Sequence, residues 1–201
     1  MNQTVEYYLA PSSPWTYLGH QRFTDLVQAT GVNVRLFPMD LGGKVFPATG
    51  GLPVGQRSAQ RQAYRLVELK RFSEHLNMKL NVHPKFFPVN ADSAAKLIIA
   101  VQEKEGPNAA MRLCGLILSA VWANEQNIAD FDVLKSLLGT ANLSHSHFEL
   151  SEQSWVQDMY DQNTIKAIDL GVFGFPSYVL ANEIFWGQDR LDFLKARLKS
   201  I

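Results

Sequence analysis

The sequence predicts an α/β fold, and three observations carry that prediction. Val5 to Ala10 and Val32 to Leu36 are short runs of aromatic and β-branched residues, with a helical spacing of apolar residues between them. From Ser58 to about Leu170 the spacing is helical almost throughout. After Pro176 two β-rich runs return and a final helical pattern closes the chain.

Each element has a local reason. Pro11-Ser12-Ser13-Pro14 ends the first strand. Trp15, Leu18, Leu26 and Val27 then follow at helical spacing up to Gly31, a stop signal. Val32, Val34 and Leu36 alternate with Asn33 and Arg35, as in a half-buried strand. Two strands joined by a helical crossover make a parallel unit. Gly42, Gly43, Pro47, Gly50, Gly51, Pro53 and Gly55 then predict a long loop, either functional or a simple link. In the helical stretch, Ala59, Ala63, Leu66, Phe72 and Leu76 predict one apolar face. Ala94 to Val101 and Met111 to Val121 are apolar enough to be buried. Leu134, Leu137 and Leu138 form a shorter stripe, and Trp155 and Met159 begin the last helix of the stretch. Ser177 to Leu180 and Glu183 to Trp186, around Ala181-Asn182, read as a hairpin. Gly187-Gln188-Asp189 then opens a helix bearing Leu191, Leu194 and Leu198, with Asp189 as its cap. This order is that of a thioredoxin-like domain with an all-α helical insertion. The thioredoxin-like part is expected at 1–45 and 165–201 and the insertion at 56–164, joined by the Gly/Pro-rich loop 42–55.

Composition narrows the function. A chain of 201 residues can bury roughly 70% of its extended surface, so it needs no staple to fold. Lys plus Arg and Asp plus Glu balance at 19 each, which gives no electrostatic footprint for nucleic acid or an anionic membrane. No apolar stretch reaches a membrane span and no signal peptide is visible, so the cytoplasm is the expected location. The single cysteine, Cys114, lies in an apolar run and reads as a core thiol. It excludes an intrachain disulfide and a multi-cysteine zinc site. His145-Ser146-His147 has no further ligand cluster nearby, so no metal is expected. His20 reads as a surface residue or one facing the site.

Three segments carry the chemistry. Ser13-Pro14-Trp15-Thr16 occupies the strand-to-helix junction where thioredoxin-like redox proteins hold Cys-x-x-Cys. Both sulfurs are replaced by hydroxyls, which excludes dithiol exchange at this place. Ser13 can cap the helix, or it can donate a hydrogen bond to a thiolate from elsewhere. In Gly171-Val172-Phe173-Gly174-Phe175-Pro176-Ser177, Pro176 is either a cis turn, leaving the Phe175 backbone free for a peptide, or an edge-strand proline. Phe185-Trp186-Gly187-Gln188-Asp189-Arg190 provides a second helix start, with Asp189 able to meet an ammonium group.

In this order around a helical insertion, these segments resemble the 2-hydroxychromene-2-carboxylate isomerase family over nearly the whole chain. That family stands close to kappa-class glutathione transferases within the DsbA-like superfamily. The resemblance implies glutathione as cofactor and Ser13 as the catalytic serine that stabilises its thiolate. It implies that Phe175, before a cis Pro176, offers its main chain to the cysteinyl part, and that Gln188 and Asp189 bind the γ-glutamyl end. It places further ligand contacts within Lys44 to Gly55, with Lys44 and Leu52 as the candidates. It also implies a small aromatic substrate and a homodimer. Two departures stand out: Ala10-Pro11-Ser12 fills a space where an acidic residue is common, and Thr16 replaces a common serine. The expected activity is reversible isomerisation of a conjugated aromatic keto acid. The alternatives are kappa-like transfer of glutathione to an electrophile, or a non-catalytic glutathione- or peptide-binding module.

Overall fold

The computed structural model describes residues 3–200. A four-stranded sheet in the order β2-β1-β3-β4 forms its centre. Strand β1 (Thr4–Leu9) pairs in parallel with β2 (Asn33–Pro38) and antiparallel with β3 (Ser177–Leu180). Strand β4 (Glu183–Trp186) completes the hairpin with β3. Both hairpin strands have the bounds the sequence predicts. Ala181 and Asn182 turn between them at φ of 50° and 66°, the left-handed pair a tight two-residue connection requires.

Helix α1 (Pro14–Thr30) crosses between β1 and β2 and stops at Gly31, which is left-handed at φ 66°. The stretch predicted as a loop is largely turned backbone. A π-helical turn, Leu41–Val45, runs into α2 (Phe46–Thr49), and a 3₁₀ turn follows at Val54–Gln56. The Asp40 side chain caps the first of these, Oδ1 accepting from Gly43 N at 2.7 Å. Glycines here reflect tight turns as much as freedom. The helical stretch comprises α3 (Ala59–His75), α4 (Asp92–Glu105), α5 (Pro107–Trp122), α6 (Phe131–Thr140), α7 (Ser146–Ser151) and α8 (Ser154–Asp169). Helix α9 (Leu191–Lys199) ends the chain.

Alternation along β1 divides the core. Val5, Tyr7 and Leu9 face a large cluster with residues of α1, α4 and α5, including Leu18, Ile98 and Leu113. Tyr8 and Ala10 face the other way, against Phe37, Met39 and Val179, where Ala167 of α8 covers them. The helical stretch therefore continues the core of the sheet. Both apolar runs expected to be buried, on α4 and α5, are. The face predicted for α3 holds only in its second half: Phe72 and Leu76 pack against the core, whereas Ala59 and Ala63 are exposed and Arg65 and Leu69 point inward. The exposed edge of β2 is filled by side-chain amides. Gln102 of α4 accepts from Leu36 N at 2.7 Å and donates to Leu36 O at 3.0 Å, and Asn163 of α8 donates to Pro38 O at 3.1 Å.

His20 is neither on the surface nor at the site. It is buried on α1, with Nε2 2.9 Å from Met111 O and Nδ1 3.2 Å from Tyr7 Oη. A carbonyl only accepts, so Nε2 carries the proton and Nδ1 accepts from the tyrosine. Burial holds its pKa down at about 4, the Met111 contact opposing. Cys114 is a buried core thiol, its pKa pushed up by burial. His147 turns inward to Glu105 at 3.0 Å.

Two outcomes follow. Gly19 of α1 lies so close to the β4–α9 connection that a Cβ would stand 2.9 Å from Gln188 Cβ and 3.0 Å from Tyr178 Oη. Gly19→Ala is expected to lose about 1–3 kcal/mol, read as a lower urea midpoint with unchanged slope. His20 binds a proton in the unfolded chain before the folded one, so stability falls as pH drops from about 6.5 towards 4, by roughly 3 kcal/mol at full effect. His20→Gln should flatten that part of the stability–pH profile in urea titrations.

Candidate active site

Ser13 is the capping residue of α1. Its backbone is extended (φ −78°, ψ 124°) and its Oγ accepts from Thr16 N at 3.2 Å. Pro14 at the first helical position has no N–H to satisfy. Among the described residues the Trp15 N–H has no backbone or side-chain acceptor, so it stays a free donor beside Ser13. The two readings of Ser13 are compatible. Capping occupies an oxygen lone pair, while the hydroxyl hydrogen remains available to an acceptor. The junction is tied down from the helical side, where the Trp122 indole donates to Ser12 O at 3.2 Å. Thr16 is fully buried and its hydroxyl finds no partner, so it is not a second surface hydroxyl at the site.

Two adjoining cavities meet at this junction, of about 640 and 700 Å3. Trp15, Arg57, Arg61, Arg65, Phe175 and Trp186 line both. Ser13 and Leu52 lie on the larger one, with Phe46, Phe87, Tyr160 and Phe173 among its aromatic walls. Gln188 and Asp189 lie on the other. Phe175 precedes a cis bond to Pro176, and its backbone N–H and C=O take part in no hydrogen bond among the described residues. Pro176 itself lines neither cavity; its carbonyl accepts from Gly187 N at 2.8 Å and so joins the last two segments. Gly174 admits the Trp186 indole, since a Cβ there would be 2.5 Å from Nε1.

The remaining candidates are placed differently from one another. Gln188 is buried, and its side-chain and main-chain oxygens both accept from Arg22 Nη2, the latter at 2.8 Å. Its amide is thus a structural anchor, with its backbone at the cavity. Asp189 does not cap the last helix: Gly187 to Asp189 form a turn, Arg190 occupies the capping position, and Asp189 pairs with Arg190 at 2.6 Å. Lys44 lines neither cavity and pairs with Asp161 of α8, which raises its pKa and lowers that of Asp161. Leu52 is exposed and its carbonyl accepts from Arg57 Nε at 2.8 Å.

Sequence reasoning misses the arginines. Arg57, Arg61 and Arg65 recur every four residues, a helical spacing in sequence, with Arg61 and Arg65 on α3 and Arg57 just before its Ser58 cap. The apolar residues interleaved with these arginines mask that spacing. The acidic residues on the larger cavity are Asp40, held by Gly43 N, and Asp92, which accepts from Tyr160 Oη at 3.0 Å. These carboxylates come from other segments than the one before Ser13, where the resembled family commonly has an acid and this chain has Ala10-Pro11-Ser12.

The stability role of Ser13 can be measured apart from any chemistry. Ser13→Ala should cost about 1 kcal/mol and Ser13→Gly only a few tenths, both with a native circular dichroism spectrum.

Comparison with known proteins agrees with this architecture. The family model for the DSBA-like thioredoxin domain matches residues 4–199. A 2-hydroxychromene-2-carboxylate isomerase of Pseudomonas putida is 29% identical over 199 residues, covering 96% of this chain and 93% of that protein. The solved structure of a 2-hydroxychromene-2-carboxylate isomerase superposes with a TM-score of 0.77 at 26% identity, covering 98% of this chain and 95% of the other. The cytosolic disulfide reductase DsbM from Pseudomonas aeruginosa, solved with GSH, has the same fold at 19% identity, with a TM-score of 0.69 and 98% and 99% of the two chains covered.

Proposed function

The chain belongs to the DSBA-like thioredoxin domain family, and from that premise we propose that it is a glutathione-dependent isomerase of the 2-hydroxychromene-2-carboxylate type. The observation that carries the reading is the hydroxyl of Ser13 at the start of α1, on a shared cavity wall with the unpaired backbone of Phe175. The isomerase names of full-length relatives support the reaction class.

The residues present fit a thiol tripeptide. Phe175 has free main-chain groups for an extended peptide. Asp189 offers a carboxylate to an ammonium group, and Arg61 a cation to a carboxylate, on the same cavity. Ser13 and the Trp15 N–H supply donors where a sulfur anion needs them. When bound, glutathione would supply a thiolate able to add reversibly to a conjugated carbon and leave unchanged after rotation about the bond.

The protein's own contribution is to favour the ionised thiol and to hold the acceptor. A thiol of pKa ~8.5 needs roughly 2.7 kcal/mol of preferential stabilisation to fall by ~2 units. One hydroxyl hydrogen bond, a free N–H and the positive end of a helix are of that order together. The aromatic walls of the larger cavity exclude water from a planar acceptor. Cys114 is fully buried in the core and cannot serve as an alternative nucleophile.

The test uses 2-hydroxychromene-2-carboxylate with and without glutathione. Isomerisation should require glutathione and leave its concentration unchanged. Falling glutathione would instead assign transfer to an electrophile, and binding in calorimetry without turnover would assign a binding module. Ser13→Ala and Ser13→Gly should both cut kcat by about 10²-fold or more, despite their different stabilities. Full turnover in either variant removes Ser13 from the reaction.

A further inference from the structure

Arg65 is a charged side chain with no partner. It is 8% exposed, yet its guanidinium makes no hydrogen bond or ion pair among the described residues, and Nη2 is wholly buried. Its Cζ lies 5.1 Å from the centre of the Phe87 ring and 5.7 Å from that of Trp122. Ring faces offset part of the cost of burying a cation, but they leave the buried Nη2 donors unsatisfied. Buried charges are ordinarily paired. The carboxylates on the two cavities that Arg65 lines, Asp40, Asp92, Glu68 and Asp189, are all engaged with other donors.

We propose that Arg65 is the receptor for the carboxylate of a planar aromatic acid, which it holds beside Phe87 in the cavity that Ser13 lines. The proposal rests on the functional reading above and assigns a specificity-determining residue to the same site. Position favours the acid over the carboxylates of glutathione. Trp122, on which Arg65 lies, also donates to the carbonyl of Ser12, so Arg65 is joined through one indole to the residue before the catalytic hydroxyl. Gln188 and Asp189 line only the smaller cavity, whereas Arg65 also reaches the larger one that holds Ser13 and Phe87; Arg57, just before the helix, and Arg61, on it, supply further positive charge to both. Burial and the nearby Arg57 lower the pKa of Arg65 to about 10, a shift that an arriving anion would reverse. A fork of parallel donors matches a carboxylate in two contacts. The carboxylate stays ionised throughout the isomerisation, so Arg65 holds ground state and transition state alike, and its loss should raise KM more than it lowers kcat.

Binding without turnover tests this. Wild type, Arg65→Met and Arg65→Lys are titrated calorimetrically with trans-benzylidenepyruvate, with its neutral methyl ester and, separately, with glutathione. Wild type should prefer the acid. Arg65→Met should weaken the acid by about tenfold or more, the ester by less than about threefold, and glutathione by less than about twofold. Arg65→Lys should fall between, because an ammonium lacks the fork. Equal losses for acid and ester, or an unchanged acid affinity in Arg65→Met, overturn the proposal. So does a loss confined to glutathione, which would move Arg65 to the tripeptide. If Arg65→Met does not fold, an Arg65→Lys variant with the full wild-type preference for acid over ester overturns it. A wild type that binds the acid through Arg65 but does not bind glutathione sinks the functional reading and leaves Arg65 standing.

Discussion

The hydrogen bond from the indole of Trp122 to the carbonyl of Ser12 ties the β1–α1 junction to the helical stretch where the chemistry would occur. The β1–α1 junction is a short turn between buried elements, and its geometry is set by what pulls on it. On one side Ala10 O accepts from Ser13 N at 3.0 Å, closing the turn. On the other the last residue of α5 reaches across and fixes the peptide just before Ser13. Remove that tether and the hydroxyl loses its orientation relative to the helical wall. The extra helices are thus part of the site's framework as well as its cover.

Most of the architecture is legible because it rests on local rules. Gly31 stops α1 since only a left-handed residue closes that helix, and Ala181-Asn182 turns the hairpin between two clear β-rich runs. What stays hidden depends on partners far apart in the chain. Nothing near Gln102 announces that its amide will pair with Leu36, some 66 positions away. The inward face of α3 escapes for a related reason. Packing arithmetic assigns alanines to the core and arginines to water, whereas here the guanidinium of Arg65 goes inside on two aromatic rings while Ala59 and Ala63 remain outside. Asp189 fails as a cap because Arg190, its immediate neighbour, competes for the carboxylate.

The site itself is legible in its chemistry and less so in its membership. Ser13, Leu52 and Phe175 meet on one cavity, and Phe175, Gln188 and Asp189 on the adjoining one, as separate segments of sequence brought together by the sheet order. Lys44 goes to Asp161 instead, since α8 presents an acid within its reach. Overall neutrality conceals this local arrangement. A chain with equal numbers of acids and bases still gathers Arg57, Arg61 and Arg65 on one wall. Net charge speaks to long-range attraction, and a small anion at close quarters meets a different field.

The amides that occupy β2 also bear on how copies of this protein could meet. Gln102 and Asn163 consume the hydrogen-bonding groups of Leu36 and the carbonyl of Pro38, which an incoming strand would need along that margin. Lateral growth of the sheet is therefore blocked at one border and left to β4 at the other. Self-association by strand pairing would have to be one-sided, joining two such borders about a twofold axis and ending there, since neither copy retains a second border from which a fibre could extend.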